Sequence, residues 1–282
     1  MGFGCNACGV TGCRIIDSPR ERLIAILTNS FVPCNGKFPT LITIITMFFT
    51  LSISSGFASS IISTLLLTVI IVFGIAITLV VSRILSSTVL KGVPSSFALE
   101  LPPYRTPQIG KVIVRSVFDR TLFVLGRAVS TAAPAGLIIW LMANVDIGEV
   151  SILAHINAFL DPLARLLGLD GVILTAFILG IPANEIVMPI IIMSYTATGK
   201  ITEMSSVCEL HSLLVANGWT WLTAVCTMLF SLMHWPCATT CITIYKETHS
   251  LKWSGAAFAI PTMCGIILCF AVASGAKLLS LV

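Results

Sequence analysis

Long apolar stretches recur along this chain, and they constrain its fold more than any other feature. A helix needs about 20 mainly apolar residues to cross the hydrocarbon core of a bilayer. Six stretches approach or exceed that length, at residues 39–56, 60–83, 121–143, 171–195, 213–234 and 254–280. A seventh apolar stretch, 150–169, includes Asp161 and Arg165, which favours an amphipathic helix at the membrane surface. The pattern predicts an all-α, polytopic transmembrane helical bundle with broken or re-entrant segments, interrupted where cysteines or a carboxylate lie among the apolar residues.

The composition agrees with a surface that faces lipid. Charged residues make up 10% of the 282 residues, whereas soluble domains contain roughly 25%. No basic run with interleaved aromatic residues occurs, so nucleic-acid binding is not expected. Ten cysteines in a chain of this length and apolarity do not indicate the disulfide framework of small secreted domains.

The basic residues predict how the chain is oriented and divided. Seven of them lie from Arg83 to Arg127, with only two acidic residues among them, which is typical of a cytoplasmic loop. We expect a first gate region at 1–85, with a re-entrant start and a helical hairpin. A basic cytoplasmic loop at 86–120 and a carboxy-terminal membrane region at 121–282, with a second gate, are expected to follow.

The amino-terminal segment 2–13 combines four glycines with three cysteines, a composition that forms helices poorly. Irregular backbone at membrane depth persists only where protein or a cavity surrounds it. Cys5-x-x-Cys8 could begin a zinc or iron–sulfur site, but a structural zinc site needs a second ligand pair. No paired cysteine spacing recurs in the chain, so that alternative is not favoured.

Two further segments place a proline directly before a cysteine. Pro33-Cys34 and Pro236-Cys237 are each followed by small or polar residues and then by a β-branched apolar run. Proline removes a backbone donor and disfavours helix at the preceding residue. The two segments are either unrelated helix ends or an internal repeat, which many transporters use to build a site at the membrane midplane.

A carboxylate also lies within an apolar stretch. Glu185 follows Asn184 and stands between Pro182 and Pro189. An acid at the centre of a membrane helix costs roughly 2.5–3.5 kcal/mol on insertion scales, so such residues are candidates for function. The alternative is a structural pair with a base or a helix end. Thiols, carboxylate and amide together suit Fe(II), Mn(II) or Zn(II) better than an alkali ion.

The two histidines near the fifth apolar stretch give no clear metal signal. His211 and His234 lie at its two ends, where an interfacial position is expected more often than metal ligation.

An ordered set of these segments resembles the ferrous iron transport protein B family of bacteria. The similar segments are Gly2-Phe3-Gly4-Cys5-Asn6, Asp17–Leu23, Pro33-Cys34, Glu100–Tyr104, Gly180–Val187 and Trp235-Pro236-Cys237. The resemblance implies that Cys5, Cys34, Cys237 and Glu185 line a path for Fe2+. Cys8, Asn184 and Cys241 are possible secondary contacts on that path. Iron is then the transported ion, and no permanently bound cofactor is expected.

The resemblance also implies what lies outside this chain. The family carries an amino-terminal GTPase domain, but no G-x-x-x-x-G-K-[ST] phosphate loop occurs here. We therefore expect no enzymatic activity from this chain, and as partners a GTPase-domain polypeptide or a missing amino-terminal half, with a homo-oligomer possible. The implied location is the bacterial inner membrane. Alternatives are a nucleoside or other small-solute transporter with gate-type repeats, or a membrane assembly factor without a transport path.

Overall fold

The computed structural model describes residues 2–51, 53, 56–92, 108–115, 123–148, 150–196 and 206–279. Helices dominate these residues, and the predicted all-α fold is confirmed. The α-helices are α1 (Asn6–Gly12), α2 (Pro19–Thr28), α3 (Phe38–Ile45), α4 (Gly56–Ser87), α5 (Ile109–Arg115), α6 (Phe123–Asn144), α7 (Ile152–Leu166), α8 (Gly171–Leu179), α9 (Val187–Thr196), α10 (Val207–Ala216), α11 (Trp221–Met233), α12 (Ala238–Thr248) and α13 (Leu251–Leu278). Two short strands, β1 (Asp146–Ile147) and β2 (Val150–Ser151), pair antiparallel.

Several helical segments are long and apolar enough to cross a membrane. Within the described ranges these are α4, α13 and the combined stretch Trp221–Thr248, and the α7–α8 pair, bent by 108°, would add a fourth. The long helix α4 leaves many large apolar side chains exposed, among them Phe57, Leu65 and Leu79. Such a surface needs lipid or protein to cover it. The chain is a multi-pass membrane protein.

The start of the chain differs from the sequence prediction. The segment predicted to form helix poorly contains α1, over Asn6–Gly12. This helix packs against α12, and tertiary packing commonly outweighs intrinsic helix propensity.

Two of the predicted single spans are interrupted. The stretch 171–195 divides into α8 and α9, because the chain leaves the helix at Gly180 and passes through Pro182 before α9 begins. The stretch 213–234 contains the end of α10 and then α11, which starts after Thr220. The Thr220 Oγ1 accepts the backbone N–H of Thr223 at 3.3 Å and caps the new helix. The break in 171–195 lies at the expected interruption beside Glu185. The expectation of one continuous helix over 213–234 was wrong.

Part of the predicted basic loop lies outside the described residues. Positions 93–107 and 116–120 of that loop lie outside the described residues, and so do positions 121 and 122 of the predicted span 121–143.

Two buried cores hold the helices together. The larger one includes Leu41 of α3, Phe177 of α8, Ile190 of α9 and Phe230 of α11. The second joins α2, α4 and α13 to the end of α11, through residues that include Leu27, Val81, Ala257 and Leu232. Trp235, just after α11, belongs to the larger core. Near the end of α11 the chain therefore passes from the larger core into the second core at Leu232, and it returns to the larger core at Trp235.

Gly74 of α4 provides a test of this packing. A Cβ added at Gly74 would lie 2.9 Å from the Phe31 carbonyl oxygen, whereas a Cβ at Gly136 of α6 would meet nothing within 4 Å. We expect Gly74→Ala to lower the free energy of unfolding by about 1–3 kcal/mol, as overpacking does. Gly136→Ala should leave it unchanged or raise it by up to about 1 kcal/mol, because alanine is the better helix former. Thermal unfolding in detergent, followed by circular dichroism, compares the two. Equal melting temperatures for both variants would contradict the close approach of α4 to Phe31.

Candidate functional site

Three helix breaks, each containing a proline, define the candidate site. They cover residues 32–37 before α3, 180–186 between α8 and α9, and 234–237 between α11 and α12. Their prolines are Pro33, Pro182 and Pro236. Because proline lacks an N–H and disfavours helix at the residue before it, each one stops a helix inside an apolar segment.

The second and third breaks are joined by direct hydrogen bonds. The backbone N–H of Ala238 donates to the Ile181 carbonyl oxygen at 2.8 Å. The Nε2 atom of His234 lies 3.3 Å from the Oδ1 atom of Asn184. Polar groups freed by one interruption are thus paired with groups of the other.

The first break packs against the second through a glycine. A Cβ added at Gly36 would lie 3.2 Å from the Glu185 Cγ and 3.7 Å from the Asn184 Cβ. Only a residue without a side chain lets the backbone approach this closely without displacing its neighbours.

The first and third breaks are joined by a buried lysine. The Nζ atom of Lys37 donates to the carbonyl oxygens of Leu232 at 3.0 Å and Ser30 at 3.4 Å. The side chain is 1% exposed. We call the region where breaks 32–37, 180–186 and 234–237 meet the break junction.

The amino-terminal segment also reaches the break junction. The backbone N–H of Asn35 donates to the Gly4 carbonyl oxygen at 3.3 Å. Cys5, the next residue, is half-buried and directly precedes α1. The first and last parts of the chain are further linked by an ion pair between the Arg14 Nη2 and the Glu247 Oε1 at 2.7 Å.

The principal residues predicted to line a metal path lie at or beside the break junction. Cys34 is buried within the first break, and Cys237 directly precedes α12 with its Sγ 3.2 Å from the Thr240 Oγ1. Glu185 is exposed, next to Gly36. Cys5 adjoins the same region through Gly4. Their assignment as metal contacts stays a prediction.

The predicted secondary contacts occupy different environments. Asn184 is buried and bonded to His234. The Cys241 thiol lies 3.6 Å from the Pro236 carbonyl oxygen. Cys8 is exposed on α1. Within the part of the chain that the structure describes, no three His, Cys, Asp or Glu side chains group closely enough to hold a metal ion. The break junction is therefore not a closed metal cage.

His234 is buried among aromatic rings at the end of α11. Its ring is 1% exposed and lies 5.0 Å from the Phe177 ring and 5.8 Å from the Trp235 ring, measured between centroids. The ring is buried because α11 stops there and its side chain turns towards Asn184. His211, by contrast, is partly exposed and lies against Phe48 at 5.2 Å.

Sequence reasoning also missed the position of Lys37. The lysine side chain is buried at the break junction, a position that was not predicted. A signal was present, because Lys37 directly follows the Pro33–Gly36 break and directly precedes the apolar run of α3.

Comparison with known proteins shows which family the chain resembles. The profile described as "Ferrous iron transport protein B C terminus" matches residues 67–120, and a gate profile described as "Nucleoside recognition" matches residues 125–251. The Fe(2+) transporter FeoB of Staphylococcus aureus strain COL is 29% identical over 280 residues, covering 96% of this chain. The chain is therefore similar to the carboxy-terminal membrane part of the ferrous iron transport protein B family.

Relatives within the FeoB family are spread over distant organisms. The Fe(2+) transporter FeoB of Methanocaldococcus jannaschii is 26% identical over 92% of this chain, and that of Synechocystis is 27% identical over 96%. The chain spans 39% of the length of the Staphylococcus relative, 38% of the Methanocaldococcus relative and 42% of the Synechocystis relative. No solved structure matches the chain.

The bond between His234 and Asn184 can be tested by stability. Asn184→Ala would leave the buried His234 Nε2 without its partner, and an unpaired buried polar group costs about 1–3 kcal/mol. Asn217→Ala, at the exposed end of α10, removes an amide whose described hydrogen bond goes to the Leu213 carbonyl oxygen one turn earlier, and is the matched control. Chemical unfolding in detergent should show a clearly lower stability for Asn184→Ala, and equal stability would contradict the bond.

Proposed function

We propose that this chain forms the membrane path of a ferrous iron importer, and that Fe2+ crosses it at the break junction. The FeoB relatives are named as Fe(2+) transporters. The observation that carries the proposal is the convergence of three broken helices, which brings two cysteines and a carboxylate to one region between the two cores.

The chemistry of the break junction suits this ion. Fe(II) accepts thiolate, carboxylate and carbonyl ligands, and broken helices supply carbonyl groups that a continuous helix would use internally. Cys34 and Cys237 would contact the ion inside the junction. The exposed Glu185 would receive it, and Cys5 would contact it on the amino-terminal side.

The lack of a closed three-ligand cage among the described residues fits transport better than storage. A conducting path must bind the ion strongly enough to admit it and weakly enough to release it, so successive partial contacts serve better than one tight site. Cys8, Asn184 and Cys241 would add such partial contacts or hold their neighbours in place.

The remaining parts of the proposal follow the family. Regulation or energy would come from a GTPase domain, in a partner polypeptide or in an amino-terminal part of the protein. The location would be the bacterial inner membrane, as one subunit or as a homo-oligomer. The chain described here would itself hydrolyse no nucleotide.

A solute carrier is the second candidate, because one matching profile is described as "Nucleoside recognition". Nucleobase binding needs accessible aromatic faces on which a base can stack. At the break junction the Trp235 ring is buried and already stacks on Phe258 at 5.6 Å. Thiols and a carboxylate at the breaks favour the metal instead.

Iron flux into vesicles tests the proposed path. The 282-residue chain is reconstituted in liposomes, with and without the GTPase part of a relative, around a chelator whose fluorescence Fe2+ quenches. We expect Cys34→Ser, Cys237→Ser and Glu185→Gln each to slow the influx by about tenfold, corresponding to roughly 1.4 kcal/mol. Each removes one metal contact that water replaces poorly.

Two variants of α10 serve as matched controls for these changes. Cys208→Ser and Glu209→Gln alter an exposed thiol and an exposed carboxylate away from the three breaks, and should leave the influx unchanged. If all three junction variants import Fe2+ at the wild-type rate, the proposed path through the break junction is contradicted. The absence of any Fe2+ influx in the wild type, with or without the GTPase part, would contradict the function.

A further inference from the structure

Lys37 places a positive charge at the point where a cation is proposed to pass. Its side chain is 1% exposed, and its ammonium donates to carbonyl oxygens on either side of the break junction. The ion pairs between side chains of the described residues join Arg14 to Glu247 and Arg165 to Asp161. Within that part of the chain, no carboxylate neutralises Lys37 at ion-pair distance.

The two carbonyl groups that hold Lys37 are the ones from which proline has removed a partner. An α-helix continuing beyond α11 would bond the Leu232 carbonyl to the N–H of residue 236, which is Pro236. The 3₁₀ turn Asn29–Phe31, if continued, would bond the Ser30 carbonyl to the N–H of residue 33, which is Pro33. Both acceptors are thus free to bind a cation.

These acceptors also lie at the ends of helices where cations are stabilised. The Leu232 carbonyl is in the last turn of α11, and the Ser30 carbonyl is in the 3₁₀ turn that extends α2. The carboxy-terminal end of a helix carries partial negative charge, and transporters with broken helices bind their ions at such ends. Two helix ends that face one point make a cation site, and the ammonium of Lys37 fills it.

The proposed metal-contacting thiols surround the same position. Cys34, Cys237 and His234 all lie within electrostatic range of the Lys37 ammonium. A cation that reached these thiols would meet the ammonium and be repelled by it, because like charges a few ångströms apart in a poorly hydrated region repel strongly.

We propose that Lys37 is a tethered cation that closes the break junction. Its ammonium occupies the carbonyl site between the ends of α2 and α11, and a transported cation can pass only when the side chain leaves that site. The identity of the transported ion as Fe2+ rests on the proposed function, whereas closure by the charge of Lys37 does not.

The competing explanation is that Lys37 only holds the helix ends together through its hydrogen bonds. The choice of substitution distinguishes this structural role from closure by charge. Lys37→Gln keeps an N–H donor that can reach a carbonyl but removes the charge, and Lys37→Arg keeps the charge. A structural role that depends on hydrogen bonds alone would be retained in Lys37→Gln, whereas closure by charge would be lost.

Thiol labelling reads the charge at the break junction without any iron. The chain in liposomes is treated with a cationic and with an anionic methanethiosulfonate, and labelling of Cys34 and Cys237 is followed by mass spectrometry of peptides. In Lys37→Gln we expect the ratio of cationic to anionic rates at both cysteines to rise by about tenfold, because the like charge is gone. In Lys37→Arg the ratio should stay at the wild-type value, and at the exposed Cys208 it should not change in any variant.

An unchanged ratio in Lys37→Gln would overturn the inference. Lys37→Met provides a second uncharged variant if the Lys37→Gln protein is not monodisperse. If both uncharged variants fail to fold while Lys37→Arg folds, the role of Lys37 is structural, and the inference is overturned. Fe2+ influx is measured in the same vesicles and should rise in the uncharged variant. A shifted ratio without Fe2+ influx in any variant would leave the inference standing and contradict the proposed function instead.

Discussion

Inside a bilayer the backbone has no water to bond, so a helix can break only where protein supplies the missing partners. In this chain three interrupted helices supply partners to one another. Ala238 donates to the Ile181 carbonyl, and the Lys37 ammonium bonds the Leu232 carbonyl that Pro236 leaves without its helical donor. The position of the two cysteines and the carboxylate at the break junction depends on this mutual pairing. The approach of Gly36 to Glu185 joins the first and second breaks in the same region.

The sequence predicted the fold class and the places where helices stop, because both depend on local chemistry. Apolar stretches predict membrane helices, and Pro33 and Pro236 remove donors whatever the surrounding structure is. The family likeness then identified Cys34, Cys237 and Glu185 as candidates, and these residues lie at the break junction. Where local propensity and tertiary packing disagreed, at α1, packing against α12 prevailed.

Contacts between distant segments could not be predicted from one sequence. Nothing local indicates that Lys37 reaches the Leu232 carbonyl, 195 residues away, or that His234 turns inward to Asn184. A lone lysine after a glycine looks like an interfacial residue unless the second helix end is known to lie opposite it. Pro182, Glu185 and Pro189 indicated an interruption within 171–195, but not that the Ile181 carbonyl there would accept the N–H of the distant Ala238.

The convergence of the breaks is the central claim, and a designed disulfide tests it most directly. A Cβ at Gly36 would lie 3.7 Å from the Asn184 Cβ, and disulfides typically join Cβ atoms about 3.8 Å apart. In a Cys34→Ser background, the double variant Gly36→Cys/Asn184→Cys should form a cross-link under mild oxidation, detected as joined peptides by mass spectrometry. The pair Gly36→Cys/Glu209→Cys should not. A Gly36–Asn184 pair that stays reduced, or cross-links no better than this control, would contradict the meeting of the breaks.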